Sequence, residues 1–546
     1  MKRRLVPCLR IVLSTLWLLA AAGCSSNAAD SDAPATPPDQ APAGDEPDSP
    51  PDAPPSPPES PESPESPDAP DAPNVPDSES PSTPPDEDPA PPASVRTTIV
   101  HLFEWRWPDI ARECEQVLGP RGFAAVQVSP PQEHAVFDFA PWWQRYQPVS
   151  YQLVSRSGDR AAFADMVQRC AAAGVDVYVD AILNHMSFRD RGIGSAGTPF
   201  EKYLYPGLYE DEHFHDCRRG IESDNDRWEV QHCDLATAPD LATGTEYVRD
   251  QLAGYLQDLV DIGVAGVRLD GAKHMAATDI AAIVGRVNGD LYVYQEVIDF
   301  GGGAVRINEY VGLGDVTEFR YSGEIARVFR RGKLAWLHQF GSAWGFVRSD
   351  QGVVFVDNHD NQRGHGAPGD AISFKDGRLH ELANIFMLAW PYGYPRLMSS
   401  YAFEDGTQGP PSIDGQTLPA LEPDGQCAAN WICEHRKPDV LAMVEFRNAT
   451  SETFFVNDWW SNGNDQIAFG RGDRGFVVIN REEASRVDRR FQTGLPPGRY
   501  CDVLSGEFSS GSCTGRVIEV DAARTARIEV GPLDAVALHA NARLAP

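Results

Sequence analysis

Short apolar runs rich in Val and Ile alternate with helix-like stretches through most of residues 97–400. Residues 97–103, 123–128 and 175–183 read as three strands. Between the first two lies a helix with Cys114, Val117 and Leu118 on one face. Between the second and third, Phe163, Met166, Val167 and Cys170 recur at helical spacing; Asp159 can cap that helix and Gly174 ends it. The rhythm resumes with a helix over 246–260 and strands at 266–270, 291–295, 314–319, 353–356 and 394–398. Strands and helices joined by short connections predict a (β/α)8 TIM barrel over 95–185 and 244–459. The surplus between strands three and four, residues 186–243, is rich in Gly, aromatic and charged residues and reads as an inserted irregular domain. Beyond about residue 460 the pattern changes to short strands between turns, at 475–480, 499–503 and 517–520. That tail, 460–546, predicts a C-terminal antiparallel β-sandwich domain.

Three strand-like runs end in acids: Asp270, Glu296 and Asp360, at intervals of 26 and 64 residues. The C-terminal ends of barrel strands carry the chemistry of such folds. Three carboxyl groups meeting there predict acid, base and nucleophile roles. Arg268, two residues before Asp270, points to the same side of its strand and is placed to keep that acid ionised.

Composition changes the picture only at the N-terminus. Met1-Lys2-Arg3-Arg4 precedes an apolar stretch through Ala22, a secretory signal too short for a comfortable membrane span. It ends Ala20-Ala21-Ala22-Gly23-Cys24, which looks like a bacterial lipoprotein signal over 1–23, with Cys24 lipidated. Residues 24–94 form a Pro/Asp/Glu/Ser-rich linker that cannot bury a core and reads as an extended tether. The expectation is an exported chain, lipid-anchored at a bacterial cell envelope. Seventeen acids and no Lys or Arg fall between residues 25 and 94, about half of the formal charge of -32. That charge argues against a nucleic-acid partner and says little about the site.

Several longer strings carry a resemblance. They are Ile99-Val100-His101-Leu102-Phe103-Glu104-Trp105-Arg106-Trp107, Trp142-Trp143-Gln144-Arg145-Tyr146-Gln147-Pro148, Asp180-Ala181-Ile182-Leu183-Asn184-His185, Arg268-Leu269-Asp270-Gly271-Ala272-Lys273-His274, Gln295-Glu296-Val297-Ile298 and residues 355–366. Across residues 95–546 the chain resembles the α-amylases of glycoside hydrolase family 13, most of all their animal-type, chloride-dependent branch. The resemblance implies hydrolysis of internal α-1,4 bonds of starch and glycogen with retention, by a monomer. Asp270 would be the nucleophile, Glu296 the general acid/base and Asp360 the transition-state stabiliser. Trp142, Trp143 and Tyr146 match a stacking platform before the cleavage point, with Gln147 beside it. His185 and His359 match histidines on the scissile sugar; Lys273 and His274 match the leaving-group side.

The same resemblance implies calcium, held by the side chains of Asn184 and Asp240 and by backbone carbonyls at Gln231 and His274. These are the hard oxygens calcium prefers, although Gln231 stands where a basic residue is expected. It also implies chloride at Arg268, Asn358 and Arg396. A buried anion beside Glu296 would disfavour that acid's ionised form. Cys217/Cys233, Cys427/Cys433 and Cys501/Cys513 are near enough in sequence to pair, and Cys114/Cys170 would join two predicted helices. These four pairings rest on proximity together with the resemblance. Trp459 and Trp460 read as packing at the domain junction. The glycine-rich string at 191–197 reads as a mobile loop near substrate and lacks phosphate-binding logic. Three alternatives stand beside an endo-amylase. They are an exo-acting or transglycosylating relative, a non-catalytic starch binder, and a metal-dependent hydrolase using His185 and His359.

Overall fold

The computed structural model describes residues 96–366 and 371–545. The signal, Cys24 and the linker lie outside these residues. Eight parallel strands close a barrel in chain order. They are β1 (Ile99–Leu102), β2 (Ala125–Val128), β3 (Asp176–Ile182), β4 (Gly266–Asp270), β5 (Tyr292–Gln295), β6 (Asp315–Thr317), β7 (Gly352–Val354) and β8 (Tyr394–Ser399). Each end falls within two residues of its expected run. β1 pairs with β8 to seal the barrel, Ile99 opposite Arg396.

Helices pack outside. Asp159 caps Arg160–Ala172 by accepting from the Ala162 N–H at 2.9 Å, and Phe163, Met166, Val167 and Cys170 are that helix's buried face. Helix Glu246–Ile262 ends at Gly263 in the left-handed region. The stretch holding Cys114 departs from an ordinary helix, passing from α-helix at Trp107–Glu113 to a π-helical turn at Cys114–Leu118. All four expected disulfides are present, Cys114–Cys170, Cys217–Cys233, Cys427–Cys433 and Cys501–Cys513.

Alternation along the strands turns every second side chain inward. The barrel floor is apolar and aromatic: Ile99, Ala125, Tyr178, Tyr294 and Val353 cluster there. Two residues further along, the interior becomes polar, with His101, Gln127, Asp180, Arg268 and Arg396 all buried. This polar layer lies directly under the strand ends that carry the acids.

The insert holds only short strands. The 191–197 string is the first half of a hairpin, Arg191–Ile193 pairing with Pro199–Glu201. Its turn is tied down by Glu133, whose carboxylate accepts from the Ala196 and Thr198 N–H groups. The C-terminal domain is a four-stranded antiparallel sheet of Asn457–Ser461, Gln466–Arg471, Gly475–Asn480 and Asp534–His539. Further strand pairs cover it, enclosing Phe476, Val478, Phe491, Leu495 and Ile528. Trp459 packs on Trp390 and Phe469 at the junction with the barrel, and Trp460 on Phe491, as expected. Among the described residues no helix is long and apolar enough to cross a membrane.

Candidate active site

Asp270 and Glu296 meet at the C-terminal rim on one guanidinium, with Asp360 close enough to feel the charges of Glu296 and Arg268. Arg268 Nη1 donates to Asp270 at 2.9 Å and to Asp180 at 2.5 Å. Its Nη2 donates to Glu296 Oε1. Glu296 Oε2 accepts the Gly271 N–H at 2.9 Å. Gly271 sits at φ 56°, a left-handed turn that swings this N–H toward Glu296 as the chain leaves β4. Asp360 is carried by a loop that Asn358 and Asn361 pin reciprocally, each backbone N–H donating to the other's side chain at 2.8 Å. Asn358 and His359 both reach Asp360 Oδ2, at 3.4 and 3.3 Å.

Burial sets the electrostatics. It pushes the Asp270 carboxyl well up, against the pull of Arg268, with Glu296 and Asp180 adding to the rise. The pairing with Arg268 expected from the strand is therefore present, but desolvation outweighs it. Asp360 is pushed up to about 7, by burial first and by the charge of Glu296 second. Burial lowers His185 to about 4 and His359 well below the usual range, with Arg268 adding to the fall at His359. The neutral His185 ring meets the Tyr146 carbonyl through Nε2 at 3.1 Å. A carbonyl only accepts, so Nε2 carries the proton.

The Asp360 shift has a testable sign. Its folded pKa lies above the ordinary carboxyl value, so between about pH 4 and 7 the folded state holds more protons than the unfolded. Its contribution to stability therefore falls as pH rises through that window. Asp360→Asn is expected to unfold at a higher temperature than the wild type at pH 8, the difference vanishing near pH 4. A variant less stable at pH 8 would refute this electrostatic picture.

Trp142, Tyr146 and His359 pack together at this rim. Tyr146 stacks on His359 with centroids 5.2 Å apart, and Trp142 meets both rings edge-on. Trp143 is half-buried among Phe137, Phe139 and Phe188. Gln147 Oε1 accepts the Phe188 N–H, tying the platform to the insert. Behind it lies a buried ion network that the sequence did not announce. Glu104 has φ 68° and is fully buried. Its carboxylate takes Arg145 Nη1 at 3.0 Å and Arg156 Nη2 at 2.5 Å, while Arg156 also donates to the carbonyls of Ala140 and Trp142.

Lys273 and His274 occupy the turn after β4. Lys273 Nζ pairs with Asp224 at 3.4 Å, and the His274 ring bonds the Val230 carbonyl at 3.0 Å.

The residues expected around calcium converge between insert and barrel. The Leu241 N–H donates to the Asn184 carbonyl, and Asp240 is buried with its carboxyl pushed well up by desolvation. Asp240 Oδ1 and Asn184 Nδ2 have no protein hydrogen-bond partner. The Gln231 side chain turns away to the Met275 carbonyl and Tyr310, so only its carbonyl is available, as its departure from a basic residue requires. His215, overlooked in the sequence, bonds Asp240 Oδ2 at 2.6 Å. Among the described residues no three His, Cys, Asp or Glu side chains form a metal cluster. One carboxylate, one amide and two carbonyls suit a hard cation.

The residues expected around chloride lie in or beside the polar layer. Arg268 Nε and Arg396 Nη2 are buried without partners, as are both ring nitrogens of His101 and Nδ1 of His359. Arg396 Nη1 donates to Gln127 at 2.9 Å, and Gln127 also receives the Tyr294 hydroxyl. Asn358 bonds Asp360 beside this layer. Unmet N–H groups on two buried cations fit an anion. Polar residues inside otherwise apolar strands, His101, Gln127 and Asp180, were the available signal for this layer.

Comparison with known proteins identifies the family. The family described as "Alpha amylase, catalytic domain" matches residues 121–288, and "Alpha amylase, C-terminal all-beta domain" matches 459–541. An α-amylase-related protein of Drosophila atripex is 46% identical over 471 residues, covering 82% of this chain and 94% of its own; one from Drosophila lini is 45% identical over similar spans. The crystal structure of wild-type α-amylase I from Eisenia fetida is 42% identical with a TM-score of 0.77, over 81% of this chain and 97% of that one. A mutant of that enzyme, titled as a maltohexaose complex, matches equally. With a closed barrel, three convergent acids and these relatives, the chain belongs to the α-amylase family, glycoside hydrolase family 13.

Proposed function

We propose that this protein is an endo-acting α-amylase that hydrolyses internal α-1,4 bonds of starch or glycogen with retention of configuration. The observation that carries this is the bridging of Asp270 and Glu296 by one arginine. Two acids on the forks of one planar side chain suit the close carboxyl pair of a retaining glycosidase. Asp270 attacks the anomeric carbon while Glu296 gives its proton to the departing oxygen. Glu296 then takes a proton from water, whose oxygen displaces Asp270 and releases the sugar. Trp143, half-buried, offers ring surface to the sugars before the cleavage point, with Trp142 and Tyr146 packed beside it.

Asn184 and Asp240, with the carbonyls of Gln231 and His274, would hold calcium, which when bound clamps the insert to the barrel. Arg268, Asn358 and Arg396 would hold chloride, which when bound takes up guanidinium charge beside Glu296. The test is digestion of soluble starch by the purified protein, with and without chloride at neutral pH. The expected result is initial α-anomers of mixed length, with faster turnover in chloride. Initial β-anomers or release of one fixed product from chain ends would overturn the endo-acting, retaining reading. Equal rates without chloride would overturn the anion assignment.

A further inference from the structure

A cleft of about 610 Å3 lies between the platform segment and the loop after β8. That volume falls within the range typical of small-ligand clefts, about 300–1,000 Å3. Phe139 and Ala140 form one wall; Asp405, Thr407, Gln408 and Asn430 stand on the other. Phe139 is 64% exposed, and its ring packs edge-on against Trp143, with centroids 5.7 Å apart.

The two walls are fixed to each other and to the platform. Trp142 Nε1 donates to the Gly406 carbonyl at 2.8 Å. At Gly409 a Cβ would lie 1.9 Å from the Ala140 oxygen, so the loops touch backbone to backbone and only glycine fits. Arg156, anchored on Glu104, holds the Ala140 carbonyl from behind. The cleft is thus a braced continuation of the aromatic trio.

Its chemistry selects the occupant. No Lys, Arg or His is among its lining residues, which disfavours an anionic ligand. Asp405 commits one carboxylate oxygen, Oδ1, to the backbone and hydroxyl of Thr407. Asp405 and Asn430 are exposed, while Gln408 spends its amide inside the loop, Oε1 on the Glu404 N–H and Nε2 on the Ala402 carbonyl. An exposed aromatic ring opposite carboxylate and amide groups suits a neutral polyol with one apolar face and many hydroxyl donors.

We propose that this cleft binds the non-reducing tail of a long α-glucan, beyond the sugars held by Trp142, Trp143 and Tyr146. The assignment rests on the α-glucan hydrolase reading above. Phe139 stacks on a distal glucose unit and the loop at 402–412 receives its hydroxyls. The cleft therefore adds affinity only for chains long enough to reach it.

The experiment compares Phe139→Ala and Asn430→Ala with the wild type on maltotetraose and on long linear amylose. The proposal expects kcat/KM on amylose to fall about tenfold for Phe139→Ala, equivalent to about 1.4 kcal/mol. It expects a smaller fall for Asn430→Ala and no change for either on maltotetraose. An equal loss on both substrates, or no loss on amylose, overturns it. Direct titration of the wild type and Phe139→Ala with long and short malto-oligosaccharides separates the two claims. A wild type that binds long chains more tightly through Phe139 yet cleaves none refutes the hydrolase and keeps the cleft.

Discussion

Glu296→Gln is expected to lower kcat on starch by about 10²–10⁴-fold, the typical worth of a positioned general acid. The substitution keeps shape, but glutamine has one oxygen for two donors, so it can meet Arg268 or the Gly271 N–H and not both. What is lost is the proton that the leaving oxygen takes. A substrate whose leaving group needs no protonation should therefore suffer much less. An activated aryl malto-oligoside is such a substrate, and its first step should run at nearly the wild-type rate. Asp270→Asn has no such escape, because every substrate needs the nucleophile. The measurement is a pair of rates for each variant, starch against the aryl glycoside. Equal losses at Glu296 on both substrates would remove it from the acid role.

Arg268→Met is expected to cost stability on the order of 3–5 kcal/mol at neutral pH, the range seen when one partner of a buried ion pair is removed. The arginine side chain is 1% exposed and serves three acids: Asp180 at 0%, Asp270 at 13% and Glu296 at 9%. Without it, three carboxylates share a water-poor space with no cation between them. Each resists ionisation, so the deficit should be largest above pH 7 and shrink toward pH 5 as protons return. Denaturant unfolding at pH 8 and pH 5 reads this directly. A deficit independent of pH would point to lost packing instead. Arg268→Lys should not rescue it, because one ammonium cannot span acids on two forks.

The parts of this protein legible in sequence are those where one short string carries the whole message. Asp270, Glu296 and Asp360 each close an apolar run, and the runs recur at barrel spacing. The polar layer beneath them was legible only in part: the resemblance placed Arg268 and Arg396 but not their partners. Arg268 meets Asp180 across 88 residues, and Arg396 meets Gln127 across 269. A single polar residue in an apolar strand carries no sign of a partner that distant. His101 was quoted within a motif yet given no role for the same reason. The inserted domain was seen only as a gap in the rhythm. Its strands, such as Arg191–Ile193 and Cys233–Asp234, are too short for a period of two to register. Glu104 was missed because nothing in its neighbours announces a left-handed backbone; it follows from the bonds to Arg145 and Arg156.

The seam between β1 and β8 also governs the order in which the chain can finish folding. Ile99 meets Arg396, so the first strand made waits for the last, 297 residues later. At about 5–20 residues per second that delay is roughly 15–60 s of synthesis. Throughout it the outer edge of β1 presents unpaired N–H and C=O groups, an open template for another chain. Charge and proline, the usual protections of an exposed edge, are absent from Ile99-Val100-His101-Leu102. A nascent chain that stalls before residue 394 would therefore carry an adhesive edge, and its yield would depend on holdase capacity more than on the stability of the finished barrel.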